Sequence, residues 1–187
     1  MGWYNMSQIK SKSFTCGYCG CIVGNDRGYL KQNGLSNSLG IDQIYICPQC
    51  DNPTYFDLSN KQYPGIKAGT FIKNINKEEV ENLYEEARNC FSVNAFTSVA
   101  LCCRKLLMNI SVDLGAEENK TFLYYVNWLD ENNYILPNAK KWVDQIRKIG
   151  NEATHEIHII CEEDAEKSLK FVEMILRLVY EFPAIVE

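Results

Sequence analysis

Two cysteine pairs, Cys16-Gly-Tyr-Cys19 and Cys47-Pro-Gln-Cys50, stand 27 residues apart, each with Gly or Pro beside the sulfurs to help the chain turn sharply. Zn²⁺ takes four tetrahedral ligands and favours thiolates, and two such turns at the tips of neighbouring hairpins supply the set. The spacing therefore predicts one Zn²⁺ per chain held by Cys16, Cys19, Cys47 and Cys50. Its expected role is structural, because four thiolates leave no open position for water or substrate. Cys21 reads as a spare thiol beside this set. Cys90, Cys102, Cys103 and Cys161 fall on or beside helical patterns and read as small apolar residues.

The second place where residue types could do chemistry is the stretch from Ile146 to His158, which holds both histidines of the chain. On a helical wheel Trp142, Ile146, Ile149, Ala153 and Ile157 form one apolar stripe that runs straight through Gly150. Arg147, Asn151, His155 and His158 gather on another side, at about 140° to 220° from Trp142. The glycine predicts close approach of a neighbouring helix, against a propensity cost of about 1 kcal/mol. Three readings of the polar side stay open: a solvated face, a second buried face at a two-fold dimer contact, and a nuclease site.

Around these residues the chain divides in two. A length of 187 residues, 46% hydrophobic and 23% charged, suits one globular domain plus a small module and excludes disorder as the default. The front, residues 1–75, is rich in Gly, Asn, Ser, Tyr and Cys, with short β-type runs at "IDQIYIC" and "TYFDL". From Asn76 to residue 187 the apolar spacing is helical, predicting about five helices: one from Asn76, then 94–114, 121–133, 138–156 and 162–182. Asn76, Asn94 and Asn138 are the expected caps, with Pro137 and Pro183 as breakers. The helix containing "SVALCCRKLLMNI" is apolar nearly all round and should lie at the centre. The expected fold class is α+β, a small β-rich metal module followed by an all-α bundle.

Charge follows the same division. Residues 1–75 carry seven Lys/Arg against four Asp/Glu, and residues 76–187 carry 12 against 20. A field of the latter sign repels nucleic acid, so any such contact is expected through the front module or a partner. A sequence-specific DNA-binding regulator is disfavoured, since no helix shows a basic reading face. The N-terminus has no apolar signal region, Met6 stands where a myristoylation signal wants Ser or Thr, and no run reaches a membrane span of roughly 18 residues. The expectation is a cytoplasmic protein with reduced cysteines and no membrane contact.

Residues 13–60 resemble a zinc ribbon, the likeness resting on all four cysteines. "LYEEARNCFSVNAFTSVALCCRKLLM", "IRKIGNEATH" and "EEDAEKSLKFVEMILRLVYEF" resemble the bacterial helical family called domain of unknown function 4145. Carried to this chain, its marks are Arg104, Arg147, Gly150, Asn151, His155 and the acidic start of the last helix at Glu162, Glu163 and Asp164. Members often follow zinc ribbons or accompany restriction enzymes. The family is itself similar to HEPN domains, many of them metal-independent ribonucleases whose Arg and His, four to six residues apart on one helix, meet their symmetry mates across a dimer. There the histidine moves a proton and the arginine stabilises phosphorane charge. This chain departs from that pattern: seven residues separate Arg147 from His155, and Lys148 follows the arginine.

The resemblance implies a homodimeric, HEPN-like accessory protein, with Arg147, Asn151 and His155 in the dimer interface. Its partner would be a larger nucleic-acid-processing effector in prokaryotic defence, of restriction or CRISPR type. The alternative is a ribonuclease with Arg147 and His155 as catalytic residues. Arg104 is expected as a buried structural charge near an acid such as Glu85, Glu86 or Glu152.

Overall fold

The computed structural model describes residues 2–31, 42–135, 142, 144–149 and 159–186. Its chain divides into two compact units, Met1–Lys67 and Ala68–Glu187, the boundary falling before Asn76 in the sequence. The layout is α+β, a five-stranded antiparallel sheet followed by helices.

The front unit is a meander of β1 (Ser7–Thr15), β2 (Ile22–Leu30), β3 (Gln43–Ile46), β4 (Pro53–Phe56) and β5 (Gln62–Tyr63), paired in chain order. The register of β1 shifts between Gln8 and Lys12, and such a bulge bends a strand. The sheet curls enough for β1 to reach the β4–β5 hairpin. The Gln62 amide donates to the Thr15 carbonyl over 2.8 Å, and the Lys12 ammonium lies 4.2 Å from the centre of the Phe56 ring. Inside, Phe14, Tyr45 and Phe56 meet with ring centres 5.4–5.8 Å apart. Ile9 and Val23 complete this small core, together with Cys16 and Cys47.

In the second unit, α1 (Glu78–Ser92), α2 (Phe96–Asp113) and α3 (Phe122–Glu131) precede α4, described at 142 and 144–149. Then come α5 (Glu162–Leu176), a π-helical turn (Arg177–Glu181) and the short α6 (Pro183–Val186). As expected, α2 is central: it packs on α1, α3 and α5, burying Val99, Leu106, Leu107 and Ile110. The core stripe of α4 is also as expected where described, with Ile146 and Ile149 buried and Trp142 edge-on to Phe171 at 5.3 Å.

The helix ends differ from the expected caps. Lys77, not Asn76, is the residue before α1, and Ala95, not Asn94, precedes α2; neither makes a side-chain cap. Asn94 instead closes α1. It is left-handed (φ 62°), its N–H reaches the Phe91 carbonyl, and the Ala95 N–H reaches that of Cys90, both bonds of a Schellman motif. Gly115 closes α2 and Asn133 closes α3 in the same way. α3 does have a side-chain cap, the Thr121 hydroxyl accepting from the Tyr124 N–H at 3.3 Å. The helix expected to 182 runs as α-helix to Leu176 and continues as the π-helical turn to Glu181, and Pro183 opens α6, where its missing N–H costs nothing. Pro137 and Asn138 lie outside the described residues.

Segment 68–77 belongs to the helical unit. Ile72 is buried in its core, with Ala68 and Ile75 packed against it. Arg88 of α1 donates to the carbonyls of Ala68 (3.1 Å) and Gly69 (3.4 Å), and the Tyr84 hydroxyl donates to that of Thr70 (3.0 Å).

Candidate functional site

Each cysteine pair follows a core strand: Cys16 comes directly after β1 and Cys47 directly after β3. The two turns have one hydrogen-bonding scheme. The Cys16 N–H donates to the Cys21 carbonyl and the Gly20 N–H to the Cys16 carbonyl; in the second turn Cys47 N–H donates to Asn52 and Asp51 N–H to Cys47, all at 2.9 Å. The residue after the second cysteine is left-handed in both, Gly20 with φ 73° and Asp51 with φ 58°. Cys21, the spare thiol of the sequence, is exposed, and its backbone carbonyl closes the first turn. Gly17 is required by close approach: a Cβ there would run into the carbonyl oxygens of Pro64 and Gly65.

These turns bring the four predicted ligands together. The Sγ atoms of Cys16, Cys19, Cys47 and Cys50 all lie within 4.8 Å of one another, with Cys16–Cys50 at 3.7 Å and Cys19–Cys47 at 3.8 Å. Tetrahedral Zn–S bonds of about 2.3 Å imply sulfur separations of about 3.8 Å, so the two shorter separations fit such a centre. Four thiols thus lie close enough to bind one metal ion.

Metal-free, the thiols are unequal. Burial raises Cys16 and Cys47, and it pushes Cys19 up to about 11, helped by the neighbouring Cys50 thiol. Burial also acts to raise Cys50, but the backbone and side-chain N–H groups of Asn52, with the Cys47 and Cys19 thiols, outweigh it and bring Cys50 to about 7. The Asn52 amide lies 3.5 Å from the Cys50 sulfur. Asp51 and Asn52 have no mark of their own in the sequence beyond standing after Cys50 as Gly20 and Cys21 stand after Cys19.

Of the polar helix face, only Arg147 is described. It pairs with Asp144 one turn earlier, at 3.3 Å, and 38% of its side chain stays exposed. Gly150, Asn151, Glu152, Ala153, His155, Ile157 and His158 lie outside the described residues. Arg104 goes to a different side of α4. It lines a small void with Ala100, Cys103, Phe122, Ile146, Ile149 and Ser168, its guanidinium 4.2 Å from the centre of the Phe122 ring. Burial lowers its pKa. Of the expected acids, Glu85 pairs with Arg88, and Glu152 lies outside the described residues. Glu162, Glu163 and Asp164 form the first turn of α5, where negative charge complements the helix dipole, and Lys167 bridges Glu163 and Asp164.

Among the other cysteines Cys102 and Cys103 are buried, as expected of small apolar residues, and Cys90 is half-buried. Cys161 departs from that expectation: it is exposed at the N-cap of α5, its thiol 3.4 Å from Asp164 Oδ2.

The fold and the thiol cluster define a class, a β-sheet metal module joined to a helical bundle. Residues 85–186 match the family model described as domain of unknown function 4145. That stretch is more than half of the chain, which therefore belongs to this family. No curated protein and no solved structure matches the chain. Among the described residues no helix is long and apolar enough to cross a membrane.

Proposed function

We propose that the chain is a non-catalytic, dimeric accessory protein that docks onto a larger nucleic-acid-processing effector in prokaryotic defence, its front unit held by one structural Zn²⁺. The observation that carries this reading is that the clustered thiols leave no open coordination position, while Arg147, the described member of the polar face, is paired with Asp144 within its own helix. Exposed apolar residues of the front unit, among them Trp3, Tyr4, Tyr18 and Ile22, support a role in contacting other molecules. The polar side of the 146–158 sequence supports the dimer, with Arg147, Asn151 and His155 in its contact, because a two-fold interface sets a polar stripe against its own copy.

The test is purification of the tagged chain from its native cell, with mass and nucleic-acid analysis of what accompanies it. The reading expects a dimer by light scattering and a large protein in stoichiometric amount; Asn151→Arg should shift dimer toward monomer. The opposing outcome is cleavage of single-stranded RNA by the pure protein without divalent metal, lowered about 10²-fold or more by Arg147→Ala or His155→Ala. That result would replace the adaptor with the HEPN-type ribonuclease.

A further inference from the structure

One register row crosses the front sheet on the face opposite its core. Tyr29 of β2 pairs with Ile44 of β3, Ile44 with Tyr55 of β4, and Tyr55 with Tyr63 of β5. The rows on either side point inward, carrying Tyr45 and Thr54 on one flank and Phe56 on the other, because successive residues of a strand face opposite ways. Trp3 lies beside Tyr29, their ring centres 6.3 Å apart, and is anchored by its indole N–H on the Asp51 carbonyl of the β3–β4 turn at 2.9 Å. At the other end the Tyr55 and Tyr63 rings lie 5.8 Å apart. Four aromatic rings and an isoleucine thus form a stripe over β2 to β5, with Trp3 39% and Tyr63 40% exposed.

Cations flank this stripe. Arg27 and Lys31 stand two residues either side of Tyr29, and Lys61 stands two before Tyr63 with its ammonium 5.4 Å from the centre of that ring. Lys31 pairs with Asp42 yet keeps 65% of its side chain exposed. Asp57, on the same face, accepts through one oxygen from the N–H groups of Ser59 and Lys61 and through the other from the Tyr63 hydroxyl at 3.3 Å, and so holds that ring in place. Residues 1–67 hold six Lys/Arg against four Asp/Glu, opposite in sign to the rest of the chain.

We infer that this stripe, Trp3, Tyr29, Tyr55 and Tyr63 flanked by Arg27, Lys31 and Lys61, is a binding surface for single-stranded nucleic acid. Ring faces at strand spacing accept unstacked bases, which present a π-face whatever their sequence, while cations beside the rings meet the phosphates. A duplex keeps its bases stacked and cannot use the rings. The surface goes beyond the adaptor reading and needs neither dimer nor effector.

The experiment is fluorescence anisotropy with the full-length protein, using fluorescein-labelled oligo-uridine and oligo-thymidine of about 12 nucleotides. A duplex of equal length and a proline-rich peptide serve as the other probes. Single strands should bind at least tenfold tighter than duplex, with a log–log salt slope of about −2 for three phosphate contacts. Tyr63→Ala should weaken binding about tenfold and Lys61→Glu should flatten the slope, while Tyr124→Ala in the helical unit changes neither. Tyr63 is exposed, so its truncation leaves the core intact; a crosslink from the oligonucleotide to Tyr55 or Tyr63 gives a second readout on unmutated protein. Absence of single-strand binding at about 100 µM protein, binding indifferent to Tyr63→Ala, or binding of the peptide alone would overturn the assignment.

Discussion

The two units of this chain are held together by different means. The helical unit buries Leu106, Leu107, Ile110, Leu129, Leu169, Phe171, Ile175 and Leu176 almost completely, which is a core in its own right. The front unit has Ile9, Phe14, Val23, Tyr45 and Phe56, and the remaining buried members of its cluster are two thiols of the metal site. A module of that size has little apolar interior to hold it, and metal binding by the four clustered thiols would supply what is missing. The comparison teaches that one unit should respond to chelators and the other to cavities.

Metal removal should break the comparison most severely. Structural zinc contributes on the order of 10 kcal/mol of folding free energy in small modules, so a strong chelator or Cys47→Ala should unfold the front unit. Helical circular dichroism should remain while the Trp3 environment is lost; a front unit that stays folded without metal would contradict this. Loading is also linked to protons. At pH 7 the free Cys16, Cys19 and Cys47 thiols keep their protons, because burial raises all three, whereas Cys50 near 7 is partly ionised. Binding should then release about three protons or slightly more, and affinity should fall as pH falls. Calorimetry in buffers of different ionisation enthalpy measures that number.

Cavities come next. Leu106→Ala in α2 removes a fully buried side chain and should cost the helical unit about 2–5 kcal/mol, with the zinc content of the front unit unchanged. Loss of both together in denaturant titrations followed by circular dichroism and metal release would show that the units are one cooperative block.

A smaller change tests where the units divide. Arg88 keeps only 11% of its side chain exposed while it holds Ala68 and Gly69 by their carbonyls. Arg88→Met should cost about 1–3 kcal/mol and open segment 68–77 to proteases without touching the sheet. A segment as protected as before would mean that Ile72 and Tyr84 suffice to hold it.

What could be read from the sequence follows the physics of each part. The metal ligands were legible because thiolate coordination leaves its spacing in the chain, and the Ile146–Ile149 side of α4 because burial leaves a period. Asn94 was misplaced because asparagine suits both a helix start and a left-handed helix end, and only the φ of 62° separates them. The tie of Arg88 to Ala68 and Gly69 was invisible, since a side chain bonded to backbone carbonyls leaves no mark on the residues that supply them. The aromatic row across the sheet needs pairing register, which strand alternation alone does not give.

The smallest expected effect sharpens the likeness of the two metal turns. Both need a left-handed residue after the second cysteine; the first uses Gly20, the second Asp51. Aspartate reaches that region more readily than most residues, yet it still carries a Cβ penalty that glycine avoids. Asp51→Gly relieves the penalty but gives the unfolded chain more freedom, so the net gain should be a few tenths of a kcal/mol. The backbone groups that bond Cys47 and Trp3 are unaffected by the change. For a unit of this size the gain corresponds to about 2 °C in the melting temperature of the metal-loaded sheet. Gly20→Val, the opposite exchange in the first turn, should cost about 1–2 kcal/mol, since a branched residue is poorly suited to positive φ. Equal tolerance of valine and glycine at position 20 would mean that the metal, and not the backbone, sets the shape of the turn.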